Sequence, residues 1–401
     1  MLAQLTALYP LPSSKAEDIM TARKIMTIYG TRPEAIKVAP VIKALEASPH
    51  FESIPVVTGQ HREMLDQVNQ LFGIEPVSDL QVMTQNQTLN AIVAKVIAGI
   101  DEQLAYHSPD AVIVQGDTST VMGAAVAAFN RQIPVVHLEA GLRSGDIDSP
   151  FPEEANRKIT SQITRLHLAP TQESKSNLLS ENLPEEDIVV TGNSVIDALF
   201  EVVRQQQPIS DPTLEAFVSQ EAPVVLVTTH RRENLGEKMR NIGAAVRHLA
   251  CQHPEYRFVF PAHKNPKVRE VVVPQLEDLE NVLIVEPLGY GDFTRVIDRS
   301  RFVLTDSGGV QEEAPSLGKP VLVLRENTER PEAVEAGTVR LIGTDYERIV
   351  TEAEQLITDA DHYAAMANAV NPYGDGHAAE RTVAALEQYF GIGERIADFR
   401  P

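Results

Sequence analysis

Asp117, Glu139 and Glu153 are carboxylates placed where proton transfer would use them. Asp117 follows the apolar run Ala111–Gln115 through Gly116, Glu139 stands between Leu138 and Ala140-Gly141, and Glu153 follows the stiff segment Ser149-Pro150-Phe151-Pro152. All three read as loop residues of the first half. Carboxylates gathered in a cleft act as general acids or bases once burial and neighbours tune them. Asp before a helix is also a common N-cap, so Asp117 by itself is ambiguous. His230 ends an apolar run and precedes Arg231-Arg232, which makes it an acid/base or phosphate-contacting candidate from the second half.

A second set suits an anion. In Thr305-Asp306-Ser307-Gly308-Gly309-Val310 an apolar run turns through Ser-Gly-Gly straight into a helical pattern. A helix N-terminus offers unpaired N–H groups and partial positive charge, and glycine lets a phosphate approach the backbone. Ser307, Gly308 and Gly309, joined by Arg330 and Lys37, are therefore read as a diphosphate site rather than a bare cap and turn. Glu313, one helical turn on, suits a ribose diol; in isolation it would be a solvated helix carboxylate. Arg32 and Lys37, around the helix-starting Pro33, are expected to project into the same cleft as anion contacts. No dinucleotide fingerprint, P-loop, metal-ligand histidine spacing or serine nucleophile elbow occurs, so no cofactor and no metal are expected.

Each of these loops follows a short apolar strand pattern. The runs are 24–29, Ala111–Gln115, 134–138, Val224–Thr228, Arg257–Pro261, 302–305 and 321–324. They alternate with helical patterns at 35–47, 61–72, 89–106 and 119–129, then at 236–251, 290–299, 309–317, 331–336 and 345–358. This βαβ alternation predicts an α/β fold with parallel, doubly wound sheets. Ligands of such sheets sit beyond the carboxyl ends of the strands. Two loop sets imply two Rossmann-like domains facing a central cleft. The expected division is an arm at 1–21, a first domain at 22–191 carrying the carboxylates, and a second at 192–377. A tail helix within 378–401 is expected to return to the first domain. The polar, proline-bearing stretch 205–223 leads into the first strand of the second sheet.

At 401 residues the chain suits two domains of roughly 150–200 residues. Its net charge of −21 repels polyanions, so nucleic acid and acidic membrane surfaces are poor partners. The single cysteine, Cys251, excludes an internal disulfide, is read as a helix packing residue, and fits a reducing, cytoplasmic setting. No apolar run reaches the ~18 residues that span a membrane, and the first 21 do not read as a secretory signal.

Taken in order, several segments resemble the non-hydrolysing UDP-N-acetylglucosamine 2-epimerases. They are Gly30 to Lys37, Gln60-His61-Arg62-Glu63, Gly116-Asp117-Thr118, His137-Leu138-Glu139-Ala140-Gly141-Leu142-Arg143, Pro152-Glu153-Glu154-Ala155-Asn156-Arg157, His230-Arg231-Arg232-Glu233, Asp306 to Lys319, Thr328-Glu329-Arg330-Pro331-Glu332 and Asn371-Pro372-Tyr373-Gly374-Asp375-Gly376. The resemblance runs from about Lys24 to Phe390. It implies the two-domain architecture of one large class of nucleotide-sugar glycosyltransferases, a homodimer, and reversible C2 inversion between UDP-N-acetylglucosamine and UDP-N-acetylmannosamine. The route it implies eliminates UDP to 2-acetamidoglucal and re-adds it without a redox cofactor. By the same carry-over, Asp117, Glu139 and Glu153 are acid/base candidates at the sugar, with His230 near diphosphate and sugar. Arg32 and Lys37 fall toward the sugar-phosphate side. Ser307, Gly308, Gly309 and Arg330 hold the diphosphate, Glu313 the ribose, and Phe293 packs near the uracil. Gln60, His61, Arg231 and His263 match a second, activating substrate site of some members. Glu63 and Asn86 replace the Gln and Arg common there, which weakens that expectation, and Leu288 stands where some relatives place Gln near the uracil. The competing readings are a hydrolysing epimerase, a glycosyltransferase on the same fold, and a catalytically silent UDP-sugar binder. The intact carboxylate set and His230 speak against the last.

Overall fold

The structure, a computed structural model, describes residues 22–59, 62–84 and 87–401. The expected arm at 1–21, together with Gln60, His61 and Asn86, lies outside the described residues, as does the side chain of Glu63.

The first half builds strands β1 (Arg23–Tyr29), β2 (Phe51–Val57), β3 (Ser78–Asp79), β4 (Ala111–Gln115), β5 (Val135–Leu138), β6 (Leu166–Ala169) and β7 (Ile188–Val190). Helices α1 (Arg32–Ala47), α2 (Arg62–Phe72), α3 (Leu89–His107), α4 (Ser119–Asn130), α5 (Glu153–Ile163), α6 (Gln172–Ser180), α7 (Ser194–Gln205) and α8 (Pro212–Val218) connect and follow them. The strands are parallel and lie in the order β3-β2-β1-β4-β5-β6-β7. The second half adds β8 (Val224–Thr228), β9 (Arg257–Pro261), β10 (Val282–Val285), β11 (Ser300–Thr305), β12 (Val321–Val323) and β13 (Val339–Leu341), in the order β10-β9-β8-β11-β12-β13 and again parallel. Its helices are α9 (Glu237–Gln252), α10 (Pro266–Leu276), α11 (Tyr290–Arg299), α12 (Gly308–Ser316), α13 (Pro331–Glu335), α14 (Tyr346–Thr358), α15 (Ala360–Ala367) and α16 (Ala378–Tyr389). The expected pair of doubly wound α/β units is present.

Why these runs are strands follows from where their side chains go. Along β1, Ile25 and Tyr29 enter one core with α1 and α7, whereas Met26 and Ile28 enter the opposite core with α3 and α4. In β8, Val225 and Val227 face one side while Val224 and Leu226 face the other. A strand covered on both faces needs a continuous apolar run, and β4 and β8 are buried throughout. Strand order reverses between β1 and β4 and again between β8 and β11. Those are the two switch points; Asp117, His230 and Ser307 lie in the loops after three of these strands, and Arg32 opens the helix after β1.

Within 205–223 the chain also forms α8, capped by the Asp211 side chain with Leu214 and Val218 buried. Two expectations change. Glu153 is not in a loop: it opens α5, where a carboxylate complements the positive end of the helix dipole. Cys251 lies on α9 but is exposed, so it does not pack in the core. At the tail, α16 packs on α1 and α7. Phe390 sits 6.3 Å from Phe51, and Phe399 N–H donates to the Val190 carbonyl at 2.7 Å.

Candidate active site

On the first wall, Glu34 ties the two switch-point turns together. Thr31 caps α1 with Glu34 completing a capping box, and the Glu34 carboxylate also accepts from Gly30 N–H at 2.6 Å and from Thr118 Oγ1 at 2.6 Å. Glu139 follows β5 in a left-handed backbone, φ +64°, a conformation costly for a side-chain-bearing residue and common at functional sites. Gly141 completes this turn at φ +93°, where a Cβ would come 2.2 Å from the Ser174 carbonyl. The Glu139 carboxylate accepts from Lys37 Nζ, from Gln115 Nε2 and from Asn193 Nδ2. Burial alone would raise its pKa, but the Lys37 ammonium, with Arg330 and Arg157, holds it below the ordinary value. Lys37 is thus committed to Glu139 rather than open to an anion.

Asp117 is not an N-cap, since Thr118 caps α4. Its carboxylate accepts from Arg157 Nε at 2.9 Å and Nη2 at 2.6 Å. Arg157 Nη1 donates to the fully buried Glu154 at 3.0 Å. Asn156 Nδ2 holds the Asp117 carbonyl at 2.8 Å. Helix α5 therefore aims Asp117 from behind.

On the second wall, Asp306 is the organising group. Completely buried, it accepts from Thr229 Oγ1, Arg231 N–H and Asn234 Nδ2 at 2.9–3.0 Å and from His230 N–H, and its other oxygen lies 3.0 Å from His230 Nδ1. Burial pushes its carboxyl up, and the His230 and backbone donors more than reverse this, leaving the pKa below its ordinary value. A carboxylate only accepts, so Nδ1 of His230 carries the proton and Nε2 is left for the cleft. The His230 ring stacks on His263 at 5.7 Å.

Ser307 stands at the N-cap of α12, yet its side chain makes no cap hydrogen bond. The positive end of α12 therefore faces the cleft through Ser307, Gly308 and Gly309. A Cβ on Gly308 would lie 2.6 Å from Arg330 Nη1, so only glycine lets this guanidinium lie over the helix start. Arg330 Nε donates to Glu312 Oε1 at 2.6 Å. Glu313 is buried rather than solvated: Tyr290 OH donates to it at 3.0 Å, and burial raises its pKa to about 7.

The walls enclose a cleft of about 440 Å³ lined by Glu139, Arg143, Arg157, Asn193, His230, Arg231, Ser307, Gly308, Gly309, Glu312 and Arg330 among others. It adjoins a second space of about 350 Å³, sharing His230 and Ser307 and bounded by Arg32, His263, Leu288 and Phe293. Of the three expected carboxylates, Glu139 lines the cleft; Asp117 sits one ion pair behind it, and Glu153 is half-buried at the start of α5. Arg231 and His263 line the same two spaces. Sequence reasoning missed Arg157, Asp306, Asn193 and Glu312 as members of the site. Asn193 bridges Glu139 and Glu312 at 3.3 and 3.2 Å, a contact between residues 54 and 119 positions away. The signal for Asp306 was available, because a charged residue directly after a buried strand must have partners.

A family model described as UDP-N-acetylglucosamine 2-epimerase matches residues 43–387. A UDP-N-acetylglucosamine 2-epimerase of Bacillus subtilis is 50% identical over 379 residues, covering 94% of this chain and 99% of that protein. The Salmonella typhimurium enzyme of that name is 49% identical over 373 residues, 91% and 99% of the two chains. Among solved structures, UDP-GlcNAc 2-epimerase from Neisseria meningitidis bound to UDP-GlcNAc matches with TM-score 0.80 and 46% identity over 91% of this chain and 100% of that one. A glycotransferase of kitacinnamycin, 12% identical with TM-score 0.62 over 92% and 99%, shares the fold alone. With the site's geometry and these matches together, the chain belongs to the UDP-N-acetylglucosamine 2-epimerase family.

Proposed function

We propose that this chain interconverts UDP-N-acetylglucosamine and UDP-N-acetylmannosamine without hydrolysis, by elimination of UDP and re-addition. The observation that carries this is an anion seat and an ionised, cation-paired carboxylate on opposite walls of one cleft. In the elimination a base takes the C2 proton, the C2–H electrons form the C1=C2 bond, and the C1–O bond breaks toward the diphosphate. The departing UDP collects its charge at the α12 N-terminus, Arg330 and Arg231. Such preorganised donors act where charge develops. Inversion requires the proton to leave one face of the ring and return to the other, so two acid/base groups are needed. Glu139, kept ionised by Lys37, is one. Asp117, Glu153 and His230, through its free Nε2, supply the other in the two directions. Uracil sits against Phe293 and Leu288, and the ribose diol donates to Glu313.

The same reading takes the chain as a cytoplasmic homodimer, divided at 22–191 and 192–377 with the tail on the first unit, that supplies a precursor for cell-surface polysaccharide. Among the described residues no helix is long and apolar enough to cross a membrane. Arg231 and His263 are proposed to take part in weak activation by UDP-N-acetylglucosamine. A trace of that sugar added to a UDP-N-acetylmannosamine assay tests this, and an unchanged initial rate refutes it.

Proton NMR of the full chain with UDP-N-acetylglucosamine in deuterium oxide tests the main reading. Deuterium at C2 of a mixture of both UDP-sugars, with little free sugar, supports it. Accumulating UDP and free N-acetylmannosamine would assign the hydrolysing reaction, and absence of exchange would leave a transferase or a silent binder.

A further inference from the structure

Tyr290 opens α11 in the second half, yet its ring is buried in the core of the first. It clusters with Leu65, Val68 and Phe72 of α2, and its ring lies 6.4 Å from Phe72. Its neighbour Gly291 packs closely on the same helix, since a Cβ there would come 3.3 Å from Leu71 Cδ1. The hydroxyl at the far end of the ring reaches back into the second half and donates to Glu313 Oε1 at 3.0 Å. Arg32, from α1, reaches the Leu288 carbonyl at 3.5 Å beside the same space. The wall of the smaller pocket, Leu288 and Phe293, therefore flanks Tyr290 on either side in sequence.

We propose that Tyr290 is a positioning residue that locks the nucleotide seat to the contact between the two halves, its ring anchored against α2 and its hydroxyl orienting Glu313. This rests on the reading of Glu313 as the ribose contact. One side chain thus carries both the packing against α2 and the hydrogen bond to the ribose acceptor, so the fit of the halves sets how firmly that hydroxyl is held on Glu313. The charged and titratable groups facing Glu313 are Tyr290 from α11, Glu312 from its own helix, and Arg32 and Lys37 from α1. Glu312 is spent on Arg330 and Lys37 on Glu139. Burial, then Glu313 itself, raise the Tyr290 phenol well above its ordinary value, so the hydroxyl stays a donor across the working range.

The signs follow. A ribose diol donates, so it needs Glu313 ionised. Burial raises Glu313 to about 7, and the Tyr290 hydrogen bond opposes that rise. The test is calorimetric titration of UDP onto the full chain at pH 6, 7, 8 and 9, for the wild type, Tyr290→Phe and Phe72→Leu. Wild-type affinity is expected to fall about tenfold between pH 8 and pH 6, one pH unit below the Glu313 midpoint leaving roughly a tenth of it ionised. Tyr290→Phe keeps the ring but loses the donor, so its midpoint moves up. It should bind UDP several-fold more weakly at pH 7 and recover to within about twofold of wild type at pH 9. Phe72→Leu loosens the anchor from the other side, so the hydroxyl is held less firmly on Glu313 and the midpoint should move up by less than in Tyr290→Phe; an unmoved midpoint would remove the link to α2. A merely structural role for Tyr290 would lower affinity uniformly, and that result, or an unshifted midpoint in Tyr290→Phe, overturns the proposal. Failure of the wild type to bind UDP at any pH would instead overturn the nucleotide reading beneath it.

Discussion

Asp306→Asn is the substitution on which the structure speaks most sharply. In the native chain one carboxylate oxygen accepts from Thr229 Oγ1, His230 N–H, Arg231 N–H and Asn234 Nδ2, while the other faces His230 Nδ1 at 3.0 Å. An amide fits the same space with its oxygen toward the four donors, which puts its NH₂ against Nδ1. Two donors cannot face each other, so His230 must surrender the Nδ1 proton and carry it on Nε2 instead. Hydrogen bonds to a charged acceptor are worth about 1.5–3 kcal/mol and to a neutral one about 1. Weakening the four retained bonds should therefore cost roughly 2–8 kcal/mol of stability if they add, read by denaturant unfolding. The inverted tautomer removes the free Nε2 lone pair and the partner that stabilises an imidazolium. The expected fall in kcat/KM is about 10²–10⁴, the usual span for losing a general acid/base. Nitrogen-15 shifts of the His230 ring report the tautomer directly. Since Asp306 has a depressed pKa in the fold, the stability it contributes is present above its unfolded value of 3.8 and is lost as pH falls below it; the variant should lack that acid sensitivity. A variant whose kcat/KM stays within about threefold of wild type, or whose Nε2 remains unprotonated, would refute the reasoning.

Gly308→Ala should fold normally, because the new methyl meets only the flexible end of Arg330, but it displaces that guanidinium and should weaken UDP by about tenfold, roughly 1.4 kcal/mol, in the same titration. Arg157→Met strands Asp117 and the fully buried Glu154, and losing one partner of a buried pair costs about 3–5 kcal/mol, so the chain should melt several degrees lower. Arg157→Lys should recover only part of this, since an ammonium cannot bridge both carboxylates as the guanidinium fork does. Lys37→Met leaves the burial of Glu139 without its main opponent; the carboxyl rises, and the acid limb of the kcat/KM profile should move to higher pH. An acid limb that stays put would exclude Glu139 as the group seen in that profile.

The elements themselves were legible from one-dimensional pattern. Runs such as Ala111–Gln115 and Val224–Thr228 are apolar throughout because both faces of a central parallel strand are covered, and several of them in alternation with helices mark a parallel α/β fold. Strand ends then nominate the loops, so Glu139, His230, Ser307, Gly308 and Arg330 were found from local sequence and do line one cleft. Local sequence also failed in a consistent way. It put Glu153 in a loop, because the prolines before it look like punctuation, although a carboxylate just after a proline is equally a helix start. It offered Lys37 to an anion and gave Glu313, read as a ribose contact, no protein partner, because composition cannot say which opposite charge or which hydroxyl will meet a side chain. Those partners are Glu139, more than a hundred positions away, and Tyr290, which reaches Glu313 from a different helix. Sequence alone determined the two parallel sheets, the loops at their strand ends and the chemistry available there, whereas the strand order and its switch points came from the fold. Only the tertiary structure decided which charges cancel, which tautomer His230 holds and that Asn193 and Tyr290 join the two walls, because pairing energies depend on distance and burial, and neither is a property of a residue's neighbours in the chain.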